Sequence, residues 1–103
     1  MTAELAVALP AVVLMLALCL AGVQVGAVHV RVTAAAADAA RALGRGESDA
    51  TATRIAQGVA GVPVALTASR DGEFVCAAIA GSAGGLLAAI RVQASSCAMD
   101  GGR

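Results

Sequence analysis

After a single carboxylate at Glu4, no charged or strongly polar side chain occurs from Leu5 to Val23, and beyond Gln24 the apolar run resumes as far as Val28. At ~1.5 Å of rise per helical residue, such a run covers the ~30 Å hydrocarbon core of a bilayer. The pattern predicts a transmembrane helix over about residues 5–28. The core helix of a large soluble protein would have the same composition, but a chain of 103 residues has too little mass to enclose one. A cleaved secretory signal requires a basic start, whereas "MTAE" is acidic at its only charge.

Past the run, Val25, Val28, Val32, Ala36, Ala39 and Leu43 recur at helical spacing, and Arg31, Asp38, Arg41 and Arg45 gather on another face. The helix therefore continues, with Asp38 and Arg41 spaced for an intrahelical ion pair, and ends at Gly44 and Gly46, where glycine takes a left-handed C-cap without penalty. Its alanine and valine stripe suits either a helix of another subunit or a sheet of the same chain. Ser48 or Asp49 caps a short second helix, roughly residues 50–57, with Ala52, Ile55 and Val59 on one side and Gly58 and Gly61 closing it.

From Val62 the period changes to two. "VPVALTAS" alternates Val62, Val64, Leu66 and Ala68, "RDG" makes a tight turn, and "EFVCAAIA" alternates Val75, Ala77 and Ile79. "GSAGG" reads as a loop, and "LLAAIRVQASSC" offers a third strand with Ile90, Val92 and Ala94 facing one way. Pro63 has no amide proton, so it belongs at a strand start or an edge. The fold class expected is α+β: a long N-terminal transmembrane helix, a short second helix and a small antiparallel sheet of about three strands. The divisions are residues 1–46 for the helix, 47–99 for a small α+β tail domain and 100–103 for a disordered end.

Composition limits what such a tail can be. Hydrophobic residues make up 59% of the chain, yet Phe74 is the one aromatic, so a core has to be assembled from Ala, Val, Ile and Leu. Alanine buries little area and burial yields only ~25 cal/mol per Å², which implies a domain dependent on a membrane or on neighbouring subunits. A formal net charge of zero, with no basic run and no stacking aromatics, excludes nucleic acid as a partner.

Catalytic chemistry finds no footing either. There is no Ser/His/Asp set, "GSAGG" lacks the lysine of a phosphate loop, and His29 has no companion ligands for a metal. No enzyme activity, cofactor or small-molecule substrate is expected. Cys19 lies within the span, where a thiol behaves as a small hydrophobe. Cys76 and Cys97 would form a disulfide in an oxidising compartment. If Gly84 and Gly85 form a two-residue turn, however, Cys76 faces Gln93 and Cys97 lies four residues further on. That exceeds the Cα separation limit of ~7 Å, so the bridge requires a longer loop or a bulge.

Orientation is contested within the sequence. Arg31, Arg41 and Arg45 follow the span and nothing basic precedes it, which by positive-inside counting places the tail in the cytoplasm, as in a single-pass accessory or regulatory protein. Glu4 in the first helical turn gains ~0.3–1 kcal/mol from the helix dipole. At the edge of a bilayer it would also seek a cation, such as the terminal amine of a neighbouring subunit. Pro10 removes a helical N–H and crowds the carbonyl of Ala6, which kinks or loosens the helix there.

"TAELAVALPAVVLMLAL" resembles the start of the TadE-like minor pilins of tight adherence (Flp-type IV) pili, especially their short actinobacterial branch. In that family a basic leader ends in Gly, a prepilin peptidase cuts after it, and a Glu at the fifth mature position is followed by Ala and by a Pro in the apolar helix. Glu4, Ala6 and Pro10 match those places, with Glu4 one position short and the leader absent from these residues. The expectation is that Met1 is an internal GTG codon read as a start, with the leader encoded upstream. The resemblance covers residues 2 to about 45. It implies a structural subunit anchored in the cell membrane, packing through Glu4 and Pro10 with other pilins or pilus assembly subunits, with its C-terminal domain outside the cell. The basic leader would then supply the inside charge, which resolves the conflict over orientation.

Overall fold

The computed structural model describes residues 2–101. Its elements run α1 (Thr2–Gly44), α2 (Asp49–Ala60), β1 (Val64–Asp71), β2 (Phe74–Ser82), a single 3-10 turn (Gly85–Leu87) and β3 (Arg91–Met99). The strands form one antiparallel sheet in the order β1-β2-β3, giving an α+β fold. The molecule measures 69 Å along its longest axis and 20 by 18 Å across, because α1 alone contributes 43 residues of continuous helix.

The two halves of α1 have different surroundings. Every residue from Thr2 to Leu20 is exposed, whereas Val28, Val32, Ala35, Ala36, Ala39, Ala40, Leu43 and Gly44 are buried. The C-terminal half is the spine of a small head in which α2 and the sheet pack against it. The predicted stripe is thus taken up within the chain: of the two partners it suited, a helix of another subunit and its own sheet, the sheet packs on it, and α2, which was not expected there, shares the face. Val75, Ala77 and Ile79 of β2, with Val64 and Val92 on the flanking strands, form the facing layer, and Ala52, Ala56 and Ala60 of α2 complete the core. Alanine at so many contact positions lets the helices and sheet approach closely, but among the described residues only Ile79, Val32 and Val75 are large and fully buried. The core is correspondingly shallow.

Local chemistry sets the ends of each element. The amide of Glu47 bonds to the carbonyl of Ala42 at 3.1 Å and that of Gly46 to Leu43 at 3.0 Å, a Schellman closure with Gly46 left-handed at φ 90°. Gly44, expected to share in ending the helix, instead lies inside its last turn against β3. Ser48 is the N-cap of α2, its hydroxyl accepting from the amide of Thr51 at 3.2 Å, and Gly61 closes the helix at φ 71°. α2 therefore runs past the expected end at residue 57, with Gly58 in its interior. Asp71 and Phe74 pair across a two-residue turn in which only Gly72 has a positive φ, 61°. This is the type II′ arrangement that matches the twist of a hairpin.

Two expectations at the C-terminal end are corrected. The third strand begins at Arg91, since Leu86 and Leu87 belong to the 3-10 turn and Ile90 precedes the ladder. The loose end expected over 100–103 does not hold for its first two residues. The amide of Asp100 donates to the Glu73 carbonyl at 2.7 Å, that of Gly101 donates to Gly44 at 2.9 Å, and the Asp100 carboxylate pairs with Arg70. The remaining two lie outside the described residues.

Candidate functional site

The exposed half of α1 is the largest feature that the fold leaves without a partner. An 18-residue stretch of it has a mean hydropathy of 2.6 and none of it is buried. Leu14 and Met15 expose 62% and 63% of their surfaces, as do Val12, Leu16, Leu18 and Leu20 to similar extents. A helix in water normally shows an apolar stripe backed by a polar face. This one is apolar on all sides, so no rotation about its axis hides it. Burying each of its leucines and valines is worth ~1.5–3 kcal/mol, and a bilayer supplies that burial without a protein partner. Among the described residues there is thus one helix long and apolar enough to span a membrane.

Glu4 sits exposed in the first turn of this helix, and none of the described residues forms an ion pair with it. Pro10 lies inside α1, and helix is maintained on both sides of it. The six helical steps from one to the other amount to ~9 Å of rise and set them roughly a third of a turn apart around the axis, so Glu4 and Pro10 mark different faces of the rod. Cys19 is exposed on the same apolar half.

Cys76 and Cys97 are far from that end, on the outer face of the sheet, directly opposite each other on β2 and β3 and joined as a disulfide. The two-residue turn that would have opposed Cys76 to Gln93 does not form. Ser82 and Arg91 are the last pair, and the eight residues from 83 to 90 make the connection. Within it the amides of Leu87, Ala88 and Ile90 bond to Gly84, Gly85 and Leu87, and that of Ala83 bonds to Ile90 across the base. Gly84 and Gly85 have φ values of 84° and 57°, so the paired glycines let the chain curl into the 3-10 turn. The longer loop shifts the register by four residues relative to a tight turn, which brings the cysteines face to face.

The remaining polar groups are solvated. Asp38 and Arg41 pair at 2.7 Å and Arg45 and Glu47 at 3.2 Å, all at the surface, where such pairs contribute less than ~1 kcal/mol. His29 is exposed on α1, and its backbone carbonyl accepts from the Thr33 hydroxyl at 2.8 Å. Among the described residues no group of three His, Cys, Asp or Glu side chains could hold a metal. The shallow depression on the outer sheet face, lined by Ala65, Thr67, Ala78, Ala80, Gln93 and Ser95, contains no titratable side chain.

A second depression lies where the rod enters the head. It sets Leu20, Val23, Gln24 and Ala27 of α1 against Val62 and the loop residues Ala83, Gly84 and Gly85, with Arg31 at its side. Leu86, next in the loop, is fully exposed. The sequence pattern assigned Leu86 and Leu87 to a strand, so this junction was not legible in it; the adjacent glycines were the available signal. No protein-family model, curated protein or solved structure matches the chain.

Proposed function

We propose that this protein is a structural, minor pilin-like subunit of a tight adherence (Flp-type IV) pilus system, held in the cell membrane by the first half of α1 and carrying its head outside the cell. The observation that carries this reading is the continuity of α1: a wholly exposed apolar rod becomes, without a break, the buried spine of a small head. That form suits a subunit stored in a bilayer and transferred into a bundle of similar rods, since both settings surround the helix with apolar groups. Glu4, Ala6 and Pro10 supply the resemblance to the TadE-like family. In this reading Glu4 pairs with a cation of a neighbouring subunit, and a prepilin peptidase is a partner if a leader is encoded upstream.

An external head is supported by the Cys76–Cys97 bridge, since disulfides persist in oxidising compartments and are rare in the cytosol. A second reading, a single-pass accessory protein with a cytoplasmic tail, is favoured by Arg31, Arg41 and Arg45 following the apolar run. Fusions of alkaline phosphatase and of a green fluorescent protein to the C-terminus decide between them. The pilin reading requires phosphatase activity and a dark fluorescent fusion; the reverse result assigns the tail to the cytoplasm and ends that reading.

A further inference from the structure

We infer that the loop between β2 and β3, residues 84–90, is a second membrane contact, which dips Leu86 and its neighbours into the headgroup boundary of the bilayer in which α1 is anchored. The inference rests on the membrane-anchored reading of α1 and adds to it a surface that the helix alone does not provide.

Its level along the rod is the first reason. Twenty helical steps separate Glu4 from Gln24, ~30 Å of rise, which is the thickness of the hydrocarbon core. With those two polar residues at the two edges, the second edge falls where Gly84 and Gly85 lie against Leu20, Val23, Gln24 and Ala27. The loop is thus beside the helix at the depth where lipid gives way to water.

Its composition is the second. Reversing β2 into β3 needs only a two-residue turn, yet this connection takes eight residues and fills them with Gly, Leu, Ala and Ile. Leu86 is fully exposed, Ala88 and Ala89 are exposed, and Ile90 retains 40% of its surface. None of these side chains supports the core of the head. Leu86, at the tip of an apolar loop whose base rests on α1, packs on nothing in its own chain, and next to a helix half with the same property it shares that helix's apolar surroundings.

Charge is the third. Arg31 borders the depression at the junction and Arg91 follows Ile90, while no acidic residue occurs in 20–31, 61–63 or 83–92. The acidic residues Glu47, Asp49, Asp71, Glu73 and Asp100 belong to the opposite end of the head, where α1 ends, α2 begins and the β1–β2 hairpin turns. The end that faces the rod is therefore cationic around an apolar tip, complementary to a bilayer with anionic headgroups. Two contacts, the helix and the loop, would fix the tilt and rotation of the head relative to the membrane.

Tryptophan scanning tests this, because the chain contains no tryptophan of its own. The full chain carrying Leu86→Trp, Leu14→Trp or Met99→Trp is reconstituted into phosphatidylcholine/phosphatidylglycerol vesicles with bromines placed near the headgroup or at mid-chain. The expected result is a blue-shifted Trp at 86 that loses intensity to shallow bromines and not to deep ones. The Trp at 14 should be quenched by deep bromines and the Trp at 99 by neither. A Trp at 86 with water-like emission and no quenching, beside a quenched Trp at 14, overturns the loop contact and leaves the anchor standing. A blue-shifted Trp at 86 untouched by brominated lipid also overturns it, since a protein neighbour then covers the loop. An unquenched Trp at 14 removes the anchored reading itself, and the loop contact with it.

Discussion

Gly44 lies so close to the carbonyl oxygen of Met99 that a Cβ added to it would stand 2.8 Å from that oxygen. The last turn of α1 is thereby pressed onto the end of β3, and the Gly44 carbonyl accepts the Gly101 amide at 2.9 Å. The oxygen belongs to the backbone and has no side-chain freedom with which to move aside. Gly44→Ala is therefore expected to destabilise the head: ~1–3 kcal/mol of overpacking strain outweighs the ~1 kcal/mol by which alanine favours helix. Gly58, in the interior of α2 with nothing within 4 Å of an added Cβ, has no such neighbour. Gly58→Ala is expected to stabilise by ~0.5–1 kcal/mol. Urea unfolding in detergent micelles, followed by far-UV circular dichroism, reads both; equal shifts of the same sign would contradict the close approach.

The bridge between Cys76 and Cys97 spans a sequence separation of 21 residues. By the chain-entropy relation, a closed loop of that size is worth about 3 kcal/mol. A Cys76→Ser/Cys97→Ser variant is expected to lose about that much stability, and reductant should have the same effect on the unchanged chain and none on the variant. Mass spectrometry of unreduced, alkylated protein should find one modified thiol, Cys19. Three modified thiols would mean that no bridge forms.

Ile79 is 1% exposed and is one of three large side chains fully enclosed in the head. Truncation of such a residue typically costs ~2–5 kcal/mol. In a core made largely of alanine there is little else to collapse into the space, so Ile79→Ala should unfold the head or leave it marginal. Ile79→Val, which removes one methylene, is expected to cost ~0.5–1.5 kcal/mol. Melting of the two variants, reconstituted side by side, orders them; an unaffected Ile79→Ala variant would show that the sheet does not pack on α1 as described.

Glu4→Gln keeps the size and helix propensity of the side chain while removing its charge. In the pilin reading this variant inserts into the membrane at normal levels and fails to enter pili, and a Glu4→Asp variant restores part of the assembly. Carbonate-resistant membrane fractions and sheared surface fibres measure the two properties separately. Normal piliation by Glu4→Gln removes Glu4 from assembly.

The period of the apolar positions was enough to determine the order of elements, the length of the apolar run and the two inward rows Val75, Ala77, Ile79 and Val64, Leu66, Ala68, because each depends on spacing within a short stretch. The composition likewise fixed the shallow core. Which partner the stripe on α1 would take was not legible, since an alanine and valine face fits a helix and a sheet equally well. The pairing of Cys76 with Cys97 was decided by the length of the 83–90 connection, and the 3-10 turn in it is held by backbone bonds that leave no periodic trace. Gly44 and Gly46 are alike in sequence, yet one permits contact with Met99 and the other turns the chain. Local pattern determined what each segment could become; the choice among alternatives came from contacts between residues distant in the chain, where closure of the head makes one register and one face satisfy the core at once.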